Sequence, residues 1–385
     1  MAGPRRSAIP WGAIGAIALL GLVEHFVAIH WLALTDPVSL SWRYSAQAAE
    51  NEARDCQVLC LGDSLVKHGL IPSVFERVSG DRVLNLSAAQ ASTILTHSLL
   101  RRAFGAGARP RALIINAKPA VLLGGPECNT RSWQEILSLH DGLELLQVTR
   151  NAPFVASTMV GRLLPSLRAR LEIQSSVTGA LRGDADRVRA INPVLWRNWS
   201  VNGGANVASA RVPFDGEVTS QVRRQLYTEL FYVDPANAQA IEQTLQLADD
   251  RRIPVFWVLP PISPKLQSLR DQSGADRLHD EFLRSIIAQH AGGVTVLDAR
   301  HSGYPAASFV DATHLNRRGA LALSDAVADI VAAGARSPQK AVSIPGWIEL
   351  APPTDRSAIA DLEIEDVEQS ARVVRPDPDA RVSLR

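Results

Sequence analysis

The segment Cys60-Leu61-Gly62-Asp63-Ser64-Leu65 decides how this chain is interpreted. It completes an apolar run, residues 57–61, that predicts a buried β-strand, and it leads into a segment of helical period. Gly62 permits a tight turn, and Asp63 and Ser64 are both residue types that cap helix N-termini. Ser64 is therefore either an ordinary capping serine or a nucleophile displayed on a strand-to-helix turn at the carboxyl edge of a sheet.

The pattern of this segment recurs along the chain. From residue 56 onward, short aliphatic runs alternate with longer segments of helical period, apart from a break between residues 123 and 232. This alternation predicts an α/β fold with a parallel sheet and crossover helices. The predicted strands are residues 57–61, 83–86, 112–115, 255–259 and 294–297, and the predicted helices are residues 72–78, 92–104, 237–250, 277–289 and 316–333.

Three additions flank or interrupt this α/β domain, which we place at residues 52–335. Residues 1–36 predict a membrane anchor. Residues 124–232 are too long for a plain connection and predict either a cap over the carboxyl ends of the strands or a helical layer that only covers apolar surface. Residues 336–385, rich in Pro, Ser, Asp and Arg, predict an extended or disordered tail that folding does not need.

The N-terminal segment carries an apolar run, residues 9–34, behind Arg5 and Arg6. Its length suits one membrane-spanning helix, and the two arginines favour a cytoplasmic N-terminus, which places the rest of the chain on the extracytoplasmic side. Glu24 costs about 2.5 kcal/mol or more if it is ionised near the bilayer centre, so the alternative is a shorter signal-type segment that ends before it. We predict an uncleaved single-pass anchor, because no small-residue cleavage site directly follows the run.

A second segment, Phe309-Val310-Asp311-Ala312-Thr313-His314-Leu315-Asn316, precedes the last predicted helix. A serine nucleophile needs a general base, and a base imidazole needs an acceptor on its second nitrogen. Asp311 and His314 supply both from one short segment. His314 alone fits a half-buried histidine near a helix start; together with Ser64, the two residues predict a Ser-His-Asp triad.

Gly62-Asp63-Ser64-Leu65 and residues 311–316 resemble the first and last blocks of the SGNH/GDSL hydrolase superfamily. The resemblance covers residues 55–124 and 252–333. It implies a three-layer, flavodoxin-like parallel sheet and acyl-ester chemistry at Ser64, His314 and Asp311. It also implies that no metal or other cofactor takes part.

The superfamily completes its oxyanion hole with a glycine after the second strand and an asparagine after the third. Here the glycine position falls at Gln90 or Ala89, where a backbone N–H survives, and Asn116 is the candidate amide. The usual Gly-x-Asn-Asp is replaced by Asn116-Ala117-Lys118-Pro119 after Ile115, and Lys118 offers an alternative positive charge. One lost oxyanion donor costs about 2.7 to 4 kcal/mol of barrier, so an inactive member of the fold remains an alternative.

Three functions follow from the resemblance. The first is hydrolysis of an acyl ester, with O-acyl groups of a polysaccharide as one substrate class. The second is O-acyl transfer to an extracytoplasmic polysaccharide, because SGNH-like domains behind a single anchor resemble the esterases and acetyltransferases of bacterial exopolysaccharides. The third is a binding module that has lost the reaction. A formal net charge of +1 provides no field for phosphate backbones, so nucleic acid is not an expected partner.

Cys56, Cys60 and Cys128 are too few for a disulfide framework. The first two lie about 13 Å apart along the predicted strand, which is beyond disulfide reach. We predict that all three are small buried side chains, and their spacing is not that of zinc ligands.

Overall fold

The computed structural model describes residues 11–182, 191–211, 214–220, 222–223, 231–290, 292–336, 346–353 and 362–374. Its centre is one six-stranded sheet, parallel throughout, in the order β2-β1-β3-β4-β5-β6. The α/β prediction is confirmed, and each predicted strand lies within one residue of an observed one. The strands are β1 (Val58–Leu61), β2 (Val83–Asn85), β3 (Ala112–Ile115), β4 (Val255–Leu259), β5 (Val294–Asp298) and β6 (Trp347–Glu349).

The helices surround this sheet and fill the long segment that interrupts the α/β alternation. Those of the first half are α1 (Trp11–Ile29), α2 (Pro37–Asn51), α3 (Ser64–Gly69), α4 (Pro72–Ser79), α5 (Thr93–Gly105), α6 (Pro119–Leu122), α7 (Thr130–Ile136), α8 (Leu139–Thr149), α9 (Ala152–Leu163), α10 (Pro165–Arg168), α11 (Arg170–Leu181) and α12 (Ile191–Val201). Those that follow are α13 (Pro235–Asp249), α14 (Pro264–Ser273), α15 (Ala275–Gln289), α16 (Arg317–Arg336) and α17 (Val367–Val374).

Two apolar cores sandwich the sheet. Successive side chains of a strand point to opposite faces, so Leu59 and Leu61 of β1 join the core beneath α2, α5, α13 and α15. Val58 and Cys60 join the core beneath α3, α4 and α16. Because the chain runs from β1 to β2 on one side and then to β3 on the other, the carboxyl ends of β1 and β3 flank the crevice where sheets of this kind bind ligands.

The N-terminal helix α1 is 19 residues long with a mean hydropathy of 2.0, and only 6% of its apolar window is buried. It is therefore long and apolar enough to cross a membrane. The helix continues without a break through Glu24 to Ile29. The Glu24 carboxylate accepts hydrogen bonds from the Ser166 backbone N–H, at 2.8 Å, and from the Ser166 hydroxyl.

The inserted segment has two parts with different neighbours. In the first part, α7 packs on α2 and α9, and the buried Glu135 of α7 forms ion pairs with Arg43 of α2 and Arg168 of α10. In the second part, Gly203 and Gly204 lie against the edge strand β2, where the Gly203 carbonyl accepts the Asn85 N–H at 2.8 Å. A Cβ on Gly204 would come within 2.0 Å of the Asn85 carbonyl oxygen, so only glycine fits there.

The prediction of an extended or disordered tail does not hold for residues 346–353 and 362–374, which the structure describes as strand, helix and docked loop. Residues 347–349 form β6, which pairs with β5. Glu365 accepts two hydrogen bonds from Arg197 of α12, at 2.6 and 3.0 Å, and α17 packs on the same helix. Leu350 and Ile364 are buried. The sequence did not predict these short ordered segments, because the tail is polar in composition and their order depends on contacts with distant parts of the chain.

The cysteine prediction is correct for two of the three residues. Cys56 and Cys60 are free and buried. Cys128 is free but exposed, because it lies in the surface 3₁₀ turn Pro126–Asn129 rather than in a core element.

Candidate active site

The turn after β1 is held by Gly62 and Asp63. Gly62 has φ +141°, and a Cβ there would come within 2.8 Å of the Asn116 carbonyl oxygen, so the loop after β3 can approach only a glycine. Asp63 is fully buried and caps α3 by accepting the Leu65 N–H at 2.8 Å. Its second oxygen accepts the Lys118 N–H at 3.0 Å. The helix cap is thus Asp63 and not Ser64, which leaves the Ser64 hydroxyl free for another partner.

That partner is His314. Ser64 Oγ lies 2.8 Å from His314 Nε2, and His314 Nδ1 lies 2.8 Å from Asp311 Oδ2. Ser64 and His314 are 250 positions apart, and the sheet brings them together because Ser64 follows β1 while the Asp311–His314 loop follows β5. The sequence predicted that Ser64 stands on an exposed turn. The residue is only 7% exposed, because its short side chain is covered where it meets the His314 imidazole.

The loop that carries Asp311 is ordered by its own hydrogen bonds. Asp311 Oδ1 accepts the backbone N–H groups of Thr313 and His314, at 2.7 and 2.9 Å, while Oδ2 faces the imidazole. Partial burial opposes ionisation of Asp311, but the hydrogen bond with His314 and the backbone donors outweigh it, so the pKa of this carboxyl lies well below its usual range. An ionised Asp311 is the acceptor that holds an Nδ1–H tautomer of His314 toward Ser64.

His68 contacts the other side of the candidate base. Its ring lies 4.6 Å from the His314 ring, centroid to centroid, at an interplanar angle of 37°. Its Nε2 lies 2.9 Å from Asn206 Nδ2, so the inserted segment fixes the ring. Burial, together with the neighbouring His314, holds the pKa of His68 well below its ordinary value, so His68 is neutral at pH 7.

Lys67 attaches α3 to the loop after β2 and to the inserted segment. Its ammonium group is buried, donates to the carbonyl oxygens of Ser87 and Gly204 at 3.2 and 3.0 Å, and lies 4.4 Å from the centre of the Trp199 ring. Its backbone carbonyl accepts the Asn206 N–H at 2.8 Å. Burial lowers the pKa of Lys67 to about 7. Trp199 is therefore core structure around Lys67.

The two predicted oxyanion residues have distinct settings. Gln90 is exposed in the turn after β2 and has φ +54°, a left-handed conformation that favours glycine. Asn116 is buried, its Nδ2 donates to the Val258 carbonyl at 3.3 Å, and its Oδ1 has no hydrogen-bond partner among the described residues. Within the described chain, no hydrogen bond links Gln90 or Asn116 to the triad.

A small cavity of about 30 Å³ opens beside Asn116 and Leu65. Its volume admits only one or two water-sized groups. Its wall combines apolar side chains, among them Leu65, Leu259 and Ile262, with the polar side chains of Gln267, Arg270 and His279. No residue of the triad lines it.

Sequence analysis did not identify Lys67, His68 or Asn206 as parts of the site. The available signal was the spacing of His68, four residues after Ser64, which places the two on one side of α3. Asn206 had no local signal, because only the fold brings the inserted segment to α3.

Comparison with known proteins gives no relative for this chain: no family model matches it, and no curated protein matches it at a significant level.

Proposed function

We propose that this chain is a serine ester hydrolase of the SGNH/GDSL kind that removes a small acyl group from an alcohol. The observation that carries the proposal is the pair of 2.8 Å contacts that joins Ser64 Oγ to His314 and His314 to Asp311. Such an arrangement of nucleophile, base and orienting acid identifies acyl transfer on many folds, by geometry rather than by sequence position.

The reaction follows from these contacts. Ser64 Oγ attacks the ester carbonyl while His314 Nε2 takes its proton. The tetrahedral intermediate collapses, His314 returns the proton to the leaving alkoxide, and an acyl-Ser64 ester remains. Water then attacks this ester, His314 again accepts and returns the proton, and the carboxylic acid and free Ser64 are released. Asp311 stays ionised throughout and stabilises the imidazolium that forms twice.

The oxyanion would be held by groups around the turn after β1. The Ser64 backbone N–H lies at the start of α3, where amide dipoles favour a developing negative charge. A backbone N–H near Gln90 is the second candidate, and the left-handed φ of Gln90 supports its equivalence with the superfamily glycine. The Asn116 amide is the third, and it would have to exchange its contact with Val258 for the substrate.

Substrate and location rest on different observations. O-acetylated carbohydrate is the substrate class that we favour, because SGNH-like domains behind a single anchor resemble the esterases and acetyltransferases of bacterial exopolysaccharides. Arg5 and Arg6 before α1 support single-pass anchoring, with the α/β domain on the extracytoplasmic side. Hydrolysis is preferred to O-acyl transfer because the His314 and Asp311 side chains are 23% and 51% exposed, which gives water access to the base.

The test is acetate release by the full-length protein from 4-nitrophenyl acetate and from an O-acetylated polysaccharide. We expect release from both, and none above background from Ser64→Ala. Ser73→Ala is the matched control, because Ser73 lies on the neighbouring helix α4 and its hydroxyl has no hydrogen-bond partner among the described residues. Equal release by wild type and Ser64→Ala would refute the proposal. Diversion of acetate to an added sugar acceptor would replace hydrolysis by transfer.

A further inference from the structure

The helices next to α1 expose a continuous row of apolar side chains. Ala156, Val160 and Leu163 recur at spacings of four and three, which places them on one side of α9, and Leu167 follows on α10 after the break at Leu164. All four are exposed, and Leu163 is 70% exposed. The opposite side of α9 is buried against the protein through Phe154, Val155 and Thr158.

The helix that follows is still less covered. α11 contains no buried residue, and Leu171, Val177 and Leu181 are exposed, the last to 83%. Single exposed apolar side chains are normal on soluble proteins, but a contiguous group on adjacent helices marks an interaction surface. We call the exposed apolar residues of α9, α10 and α11 the leucine face.

The leucine face is continuous with α1. α10 packs on α1, Ser166 donates two hydrogen bonds to Glu24, and Val27 forms an apolar cluster with Ala169. The α1 surface beside this contact is itself apolar and exposed. The ion pairs of buried Glu135 attach α10 to α7, which makes this arrangement part of the folded protein.

The position of the Ser166–Glu24 contact along α1 gives the depth at which the leucine face would lie in a bilayer. Glu24 lies five residues before the end of α1 at Ile29, which is about 7 Å along the helix axis. The 19 residues of α1 match a hydrocarbon core of about 30 Å. A spanning α1 therefore carries Ser166 about 7 Å below the end of the span, within the 5–10 Å at which interfacial helices lie.

We propose that α9, α10 and α11 lie in the outer boundary of the lipid bilayer, with the leucine face among the acyl chains. The proposal rests on the membrane location given above and adds to it a second, helical membrane contact. Arg170 and Arg182 are exposed at the two ends of α11, where they can reach anionic headgroups. The two hydrogen bonds from Ser166 lower the cost of placing the Glu24 carboxylate in the bilayer.

The consequence is that the α/β domain is held at the membrane surface in one orientation. α7 and α9 connect the leucine face to α2, and α2 packs on α5 beside the sheet. The triad would then face substrates at a fixed height above the bilayer instead of moving freely at the end of a tether.

The experiment measures the depth of spin labels in the full-length chain reconstituted into phosphatidylcholine vesicles that contain phosphatidylglycerol. Labels are placed by Val160→Cys, Leu163→Cys and Leu167→Cys in a Cys128→Ser background, since the other two cysteines are buried. Leu20→Cys reports α1, and Ser285→Cys on α15 reports a solvated helix. At each site, the accessibility of the label to oxygen is compared with its accessibility to a water-soluble nickel complex.

We expect oxygen access to exceed nickel access at residues 160, 163 and 167, as at residue 20, with the reverse at residue 285. Nickel access at the three sites equal to that at residue 285 overturns the proposal. Low access to both reagents also overturns it, because it means that a protein covers the face. Nickel access at residue 20 as well refutes the membrane location itself. Ser64→Ala should leave the depths unchanged, so failure of this inference and failure of the proposed enzyme activity are separable.

Discussion

The turn after β1 with Asp63, Ser64 and Lys67, which we propose to be catalytic and call the catalytic edge, differs from the leucine face in the kind of side chain that is buried. At the catalytic edge, polar groups such as Asp63 and Lys67 are buried, and each finds hydrogen-bond partners inside the chain. On the leucine face, large apolar groups such as Leu163 and Leu181 are exposed, although such groups normally supply the core. The comparison teaches that the polar groups of the first region are satisfied within one chain, whereas the exposed apolar groups of the second are the basis of the bilayer contact that we propose.

The largest loss of activity is expected from removing the proposed nucleophile, Ser64, or the proposed base, His314. Ser64→Ala and His314→Ala should each lower kcat for ester hydrolysis on the order of 10⁶-fold, and the double variant should be no slower than either one. This non-additivity is expected because the two residues act as one unit. Steady-state kinetics on the three variants checks it, and multiplicative losses would mean that Ser64 and His314 act independently.

Removing the charge of Asp311 should cost less. Asp311→Asn should lower kcat on the order of 10⁴-fold, because the amide no longer selects the His314 tautomer that faces Ser64. The lowered pKa of Asp311 also stabilises the fold: this contribution is complete above the unfolded-state pKa of about 3.9 and is lost as pH falls toward the lower native value. The difference in unfolding free energy between wild type and Asp311→Asn should therefore be constant from pH 6 to about pH 4 and should narrow as pH falls below that value. A difference that persists unchanged at low pH would show that Asp311 has another role.

Variants of His68 test whether a residue outside the triad positions the His314 ring. His68→Ala should lower kcat by up to about a hundredfold with little change in KM, because the His314 ring loses the surface on which it packs. His68→Phe should recover much of the loss, since it restores an aromatic ring without the nitrogens. If Phe is as poor as Ala, the hydrogen bond with Asn206 matters and ring packing does not.

The smallest expected effect comes from the tail, where a substitution should lower the melting temperature and leave ester hydrolysis unchanged. Glu365→Ala should lower Tm by roughly 2 to 4 °C, because it removes a two-point contact with Arg197 that is worth about 1 kcal/mol, while kcat stays unchanged. Glu363→Ala is the matched control, since Glu363 is exposed. Equal Tm values for the two variants would show that the Arg197 contact contributes nothing.

What the sequence could predict depends on how local each signal was. The five strands were predicted because a buried parallel strand is a short apolar run, visible without knowledge of its neighbours. Ser64, Asp311 and His314 were identified because each lies in a short motif, and the sheet order then explains their meeting. An N-terminal helix long and apolar enough to cross a membrane was predictable from length and hydropathy alone.

The remaining features depend on contacts between distant segments. No residue close to Glu365 in the sequence indicates that Arg197 binds it, and the polar composition of the tail predicted disorder instead. The role of Glu24 was unresolved because its partner, Ser166, lies 142 positions away. The leucine face was missed because its spacing is that of an ordinary amphipathic helix; only exposure in the fold distinguishes it from a core face.

The central claim, that Ser64 is an activated nucleophile, is tested most directly by a fluorophosphonate probe on the full-length protein. The probe reacts with an activated serine oxygen, releases fluoride and leaves one phosphonyl group on the residue. Intact mass and peptide mapping should show one addition, located on Ser64, that His314→Ala abolishes and Glu365→Ala leaves intact. A folded protein that gains no phosphonyl group, or gains it on another residue, would contradict the claim and leave Ser64 as a structural residue of the turn.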